Sequence, residues 1–229
     1  MKLSPLFIST SIPTEQEAFL NHHLRCLRFY LDSEINKSNF TSKQLARFQK
    51  KYQQSHRQYH NLSHLISIFR LAEQVDIEDR RAFEVAVWFH DIIYQPYFKN
   101  NEARSAIFFR KALKKQVFHK LSLTEIRWIE QAILSTHGHQ PKIKGNRDLK
   151  LFLDMDLAVL ASDAPVYDTY TKAIRKEYWI YPTSMYNKGR IKVLTHFLER
   201  EIIYFTEEFK DFEAQARGNI KREIKVLTQ

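Results

Sequence analysis

The stretch Ala82-Phe83-Glu84-Val85-Ala86-Val87-Trp88-Phe89-His90-Asp91 decides how this chain is read. Ala82, Phe83, Ala86 and Val87 recur at the spacing of one helix face, and that face packs inward. His90 lies three residues after Val87 and four after Ala86, so an imidazole falls on the same stripe. Asp91 lies four after Val87, at its edge. A carboxylate carried toward a core costs several kcal/mol unless it is paired, in the range of roughly 2–7 kcal/mol even for a neutral polar group. Something must therefore wait there to meet it.

The same irregularity recurs on both sides. Asp156 follows Phe152 by four and Leu153 by three, with Leu157 and Leu160 continuing the face. His60 and His64 are four residues apart at the start of another amphipathic run, and can share one helix face. A single histidine on an apolar face is more often a hydrogen-bonded core residue. Two imidazoles and two aspartates from three helices are different, because two buried carboxylates would drive one to take a proton. A divalent cation resolves that conflict, with His64, His90, Asp91 and Asp156 as ligands and His60 nearby.

Composition agrees with a helical frame. Among 229 residues there are only four glycines and six prolines, too few for the regular turns of a sheet protein. Hydrophobic residues make up 44% and aromatics 14%, enough for a sizeable core without disulfides. Predicted helices cover Thr14–Leu31, Ser42–Gln54, Asn61–Gln74, a run after Asp76 to His90, and Asn101–Leu113. Others are a helix capped by Thr124 and ending at Thr136-His137-Gly138, one from Asp148 to Leu160, and two long C-terminal helices, Pro165–Tyr178 and Lys188–Ala216. No repeat or linker divides them, so an all-α single domain over 1–229 is expected. Its motif-bearing core spans about 57–160 and its C-terminal helices about 165–217.

Cys26 sits in an apolar helical pattern and reads as a packed thiol, in keeping with a reducing cytoplasm. No run approaches the roughly 20 apolar residues of a membrane span, and no signal peptide is legible, so a soluble cytoplasmic protein is expected. The net charge of +10 is spread along the chain in small clusters and is not interleaved with aromatics. It suits attraction of a small anionic substrate better than nucleic-acid binding. Oligomeric state is not legible.

The segments Tyr59-His60-Asn61-Leu62-Ser63-His64, Trp88-Phe89-His90-Asp91-Ile92-Ile93-Tyr94, Asn101-Glu102-Ala103-Arg104-Ser105-Ala106 and Asp154-Met155-Asp156-Leu157 closely resemble the HD superfamily of metal-dependent phosphohydrolases. More narrowly, they resemble an uncharacterised bacterial branch of predicted HD phosphohydrolases, over roughly Arg57 to Asn219. The resemblance implies an HD-type helical bundle and a metal-dependent phosphohydrolase acting on a small phosphorylated substrate, with nucleotides among the candidates. The YHN-x-x-H element is also similar to that of cyclic nucleotide phosphodiesterases. By that likeness His60 donates a proton to the leaving oxygen, while His64, His90, Asp91 and Asp156 hold the ion. Where those enzymes carry a further histidine, this chain has Ile92-Ile93-Tyr94, which puts a second metal in doubt. The Glu-Asp pair of guanosine-tetraphosphate hydrolases is also missing.

Around this centre, Asp91 or Asp156 is a candidate to orient or deprotonate water, and Glu102 is a candidate base standing behind the ligands. Arg57, Arg175 and Arg190 are candidates to grip phosphate through paired N–H groups. His137 continues the Ile126, Ile129, Ile133 stripe and is expected to face the pocket; His139 is a weaker candidate. Asp154 is expected near the site or facing solvent. A mixed shell of nitrogen and oxygen suits Mn, Mg, Fe, Ni, Co or Zn. The alternative readings are a metal-containing HD-fold nucleotide-binding or sensor module without turnover, a di-iron oxygenase, and a basic nucleic-acid binder.

Overall fold

A computed structural model describes residues 42–114 and 121–229, together with residues 18, 21 and 22. Among these the chain is all-helical, without a strand. The helices are α1 Ser42–Tyr52, α2 Leu62–Ala72, α3 Arg80–Phe89, α4 Asn101–Lys114, α5 Leu123–Ser135, α6 Arg147–Asp156, α7 Ala164–Glu177, α8 Thr183–Leu198 and α9 Phe212–Leu227. Short 3-10 turns at Ala158–Ala161 and Glu207–Phe209 join the later ones. The predicted helix Thr14–Leu31 and Cys26 lie outside the described residues, apart from the helical residues 18, 21 and 22.

Local chemistry sets where these helices begin. Asn61, Asp79 and Asn146 each accept a backbone N–H of the first turn of α2, α3 and α6. Ser122 and Glu125 form a reciprocal capping box at α5, so the cap falls two residues before the expected Thr124. Every residue of α3 from Ala82 to Phe89 is buried, and a helix buried all round must lie at the centre. It packs against α2, α4, α5 and α6, which places His90, at its C-terminal end, deep among other helices. Tyr52 fixes α1 to this centre by donating its hydroxyl to the Trp88 carbonyl at 2.9 Å.

The predicted long helix Lys188–Ala216 is instead two helices, α8 and α9, with an irregular connection between them. Carboxylates from elsewhere take the backbone groups a helix would have used. Glu213 accepts the N–H of Ile203 and Tyr204, while Asp154 accepts those of Phe205 and Thr206. Arg217 donates to the carbonyls of Leu198, Arg200 and Glu201. With the N–H groups of residues 203–206 met this way, that run need not be helical. The predicted helix Asp148–Leu160 likewise ends at Asp156 and tightens into the first 3-10 turn. Among the described residues, no helix is long and apolar enough to cross a membrane.

Candidate metal centre

Three helix ends converge. His64 is in the first turn of α2, His90 caps the C-terminus of α3, and Asp156 is the last residue of α6. His64 Nε2 lies 3.3 Å from His90 Nε2 and 3.1 Å from Asp156 Oδ1, and His90 Nε2 lies 3.7 Å from the same oxygen. Ligand atoms of these three side chains all fall within 4.8 Å of one another, close enough to share one ion. The carboxylate of Asp91 is 3.2 Å from His90 Nε2 but is not part of that mutual triad.

The proton on His90 can be placed by its partner. Nδ1 lies 2.9 Å from the Val87 carbonyl, which can only accept, so Nδ1 donates and Nε2 faces the cluster. Burial alone would depress this imidazole, yet Asp91 and then Asp156 raise it to about 9. Burial outweighs the pull of Asp156 at His64, whose pKa is lowered. Burial works against charge on Asp91 and Asp156 too, but neighbouring imidazoles hold both carboxyls below their ordinary range. The arrangement is rich in lone pairs and negative charge and needs positive charge at its centre. A proton on His90 would serve; so would a divalent cation, for which two imidazole nitrogens and a carboxylate oxygen are a suitable donor set.

His60 is oriented separately. Glu177, fully buried, accepts the backbone N–H of Gln58, Tyr59 and His60 at 2.8–2.9 Å through Oε1. Through Oε2 it takes His60 Nδ1 and the Tyr94 hydroxyl, each at 2.7 Å. The imidazole also stacks on Tyr94, with centroids 4.1 Å apart. Burial opposes its protonation, but Glu177 outweighs burial and raises its pKa. Despite its own burial, Glu177 is lowered to about 2 by His60 and the converging N–H groups. With Nδ1 engaged by Glu177, Nε2 is the ring nitrogen left to take another partner.

A cavity of about 930 Å³ opens beside these groups, lined in part by His60, Asp91, Glu102, His137 and Asp156. Glu102 and His137 meet across its edge at 3.3 Å, so His137 does face the pocket. The three arginines behave differently from expectation. Arg57 is buried and grips no open space: it donates to the carbonyls of His60, Asp91 and Ile92 at 3.0, 2.7 and 3.2 Å. It ties the two motif segments together. Arg175 is turned to the carbonyls of Tyr178 and Tyr181, closing the turn after α7, and does not line the cavity. Arg190 lines it, but its guanidinium is paired with Glu223 at 2.8 Å and the Tyr170 hydroxyl at 3.1 Å.

Asp154 is neither at the site nor facing solvent. It is fully buried and accepts two N–H groups and the Thr206 hydroxyl at 2.6–2.8 Å. His139, rated weaker from sequence, comes closer to the centre than His137: its Nε2 is 3.0 Å from Asp156 Oδ2. Its backbone has φ 47°, unusual for a residue with a side chain, and follows Gly138 at φ 74°. Arg200 donates to both carbonyls, that of His139 at 3.1 Å, and holds the turn. Glu177 was the residue sequence reasoning passed over. Its signal was present, because Tyr170, Ile174 and Glu177 share one helical stripe.

No protein-family model matches this chain, and no curated protein does.

Proposed function

We propose that this chain is an HD-type phosphohydrolase that cleaves a phosphate ester in the cavity beside His64, His90 and Asp156. The observation that carries the reading is the convergence of two imidazoles and a carboxylate at 3.1–3.7 Å, with a third imidazole held over the same cavity by a buried glutamate. A divalent cation on the first three would supply Lewis acidity, drawing charge from a phosphoryl oxygen and making water a stronger acid.

The remaining work falls to this chain's own side chains. Asp91, on the cavity wall beside His90, orients the attacking water and accepts its proton. As the ester P–O bond breaks, Nε2 of protonated His60 gives its proton to the departing alkoxide. Glu177 stabilises the imidazolium before transfer and fixes the ring's direction, much as a buried carboxylate does in other acid–base pairs. Arg57 keeps His60 and Asp91 in register from behind. Glu102 and His137 stand at the rim, and the exposed Lys99 and Lys192 add positive charge to the lining for an anionic substrate.

The test is product analysis by chromatography, with inorganic phosphate release for the monoesters, over a panel of phosphomonoesters, cyclic nucleotides and nucleoside polyphosphates, with Mn²⁺, Co²⁺, Ni²⁺, Zn²⁺ or Mg²⁺ added. Turnover that a chelator abolishes, and that falls at least a hundredfold in His60→Ala, is expected. A protein that binds metal and hydrolyses none of these esters would remove the hydrolytic assignment and leave a binding module.

A further inference from the structure

Asp156 has two carboxylate oxygens, and they face different partners. Oδ1 lies 3.1 Å from His64 Nε2 and 3.7 Å from His90 Nε2, while Oδ2 lies 3.0 Å from His139 Nε2. An ionised carboxylate can only accept, so Nε2 of His139 carries the proton and donates. Once Nε2 of His64 and of His90 serve as metal ligands, neither carries a proton, and neither can donate to Oδ1. The bond from His139 sits on the other oxygen and survives. Asp156 needs such a tie. It is the last residue of α6, where a helix end presents carbonyls and partial negative charge, which do not hold a carboxylate. The torsion that turns its carboxyl group has only a broad, two-fold preference, so the side chain does not fix its own orientation.

The backbone under His139 points the same way. At φ 47° it is the non-glycine residue in the left-handed region among the described residues, and it follows Gly138 at φ 74°. The end of α5 is closed by the His139 N–H on the Thr136 carbonyl at 3.2 Å and the Gln140 N–H on the Ser135 carbonyl at 3.1 Å. Helix ends closed in this manner commonly place glycine at the left-handed position, where a Cβ is crowded. A histidine kept there signals a task for its side chain. Neighbours hold the strained turn in place. Arg200, just past the end of α8, donates to the carbonyls of Gly138 and His139 and lies 4.5 Å over the Phe197 ring. That ring in turn lies 5.8 Å from the imidazole of His139.

We infer that His139 is a positioning residue of the metal centre: its Nε2–H holds Asp156 Oδ2, so that Oδ1 alone is turned to the ion. The inference rests on the metal-binding part of the proposed function and not on the hydrolysis. His139 itself is not a ligand.

The experiment titrates the chelator-treated full chain with Zn²⁺ in competition with a chromophoric chelator, and with Co²⁺ followed by visible absorption. Wild type, His139→Ala, His139→Gln and Asp156→Ala are compared, each checked for folding by circular dichroism. Zn²⁺ affinity should fall about ten- to a hundredfold in His139→Ala, and further in Asp156→Ala. Glutamine offers an amide N–H near the place of Nε2, so His139→Gln should recover affinity to within about fivefold of wild type. The Co²⁺ bands should stay where they are in both His139 variants, because no ligand is lost, and should shift or vanish in Asp156→Ala. Wild-type affinity in His139→Ala, no recovery with glutamine, or Co²⁺ bands displaced in His139→Ala would overturn the inference, as would a wild-type chain that takes up no ion. Loss and recovery of affinity without ester turnover would keep it while removing the hydrolytic reading. Metal-dependent turnover with unchanged affinity in His139→Ala would do the reverse.

Discussion

Glu177→Gln isolates the charge that organises His60 while keeping the shape of the side chain. In the native protein one buried carboxylate meets three backbone N–H groups, an imidazole and a phenol, all at 2.7–2.9 Å. The amide oxygen of glutamine can still accept from the backbone, so the loss is the charge, not the whole cluster. The carboxyl is lowered from an ordinary 4.5 to about 2 by His60 and these donors. At ~1.4 kcal/mol per pH unit, that difference corresponds to about 3 kcal/mol at neutral pH. The direction with pH follows from the sign. A carboxyl whose folded pKa is depressed stabilises above its unfolded value and loses that stability as pH falls through its folded value. His60, whose pKa is raised, adds stability that fades as pH rises through its folded value. Urea denaturation of both proteins should therefore show a gap of about 3 kcal/mol at pH 6–7, closing between about pH 4.5 and about pH 2. A gap below about 1 kcal/mol at pH 7, or one equally large near pH 2, would refute the claim that Glu177 is an ionised anchor.

Two further outcomes are expected. Asp154→Ala should destabilise by about 3–5 kcal/mol in the same assay, because two N–H groups and a hydroxyl lose their buried acceptor and the α8–α9 connection loses its tie. Gly189→Ala should stabilise by about 0.5–1 kcal/mol, read as a rise in Tm, since this glycine sits inside α8 and an added Cβ meets nothing within 4 Å.

The parts of this architecture that follow helical periodicity were legible in the residues. His90 on the Ala86–Val87 stripe and Asp156 on the Phe152–Leu153 stripe betray themselves because an ionisable group on an apolar face demands an explanation. The same logic reaches Glu177 through Tyr170 and Ile174, but only once its stripe is known to meet the loop at residues 58–60. Arginines were harder. The guanidinium fork of Arg57 fits backbone carbonyls as well as phosphate oxygens, and no pattern in sequence reveals where the carbonyls of His60, Asp91 and Ile92 will gather. Arg175 was misplaced for the same reason. The break between α8 and α9 was also hidden, since Glu213 and Asp154 replace helical hydrogen bonds across distances that local propensity does not sense. His139 depends on two consecutive left-handed residues, of which only Gly138 left a mark in the sequence.

Titration of chelator-treated protein with Mn²⁺ or Zn²⁺, for wild type and for His64→Ala and Asp156→Ala, goes most directly to the centre of this account. About one ion should bind per chain, and affinity should collapse at least a hundredfold in both variants while each stays folded by circular dichroism. A wild-type chain that takes up no ion, or variants that bind as tightly as their parent, would mean that these imidazoles and this carboxylate are satisfied by a shared proton alone.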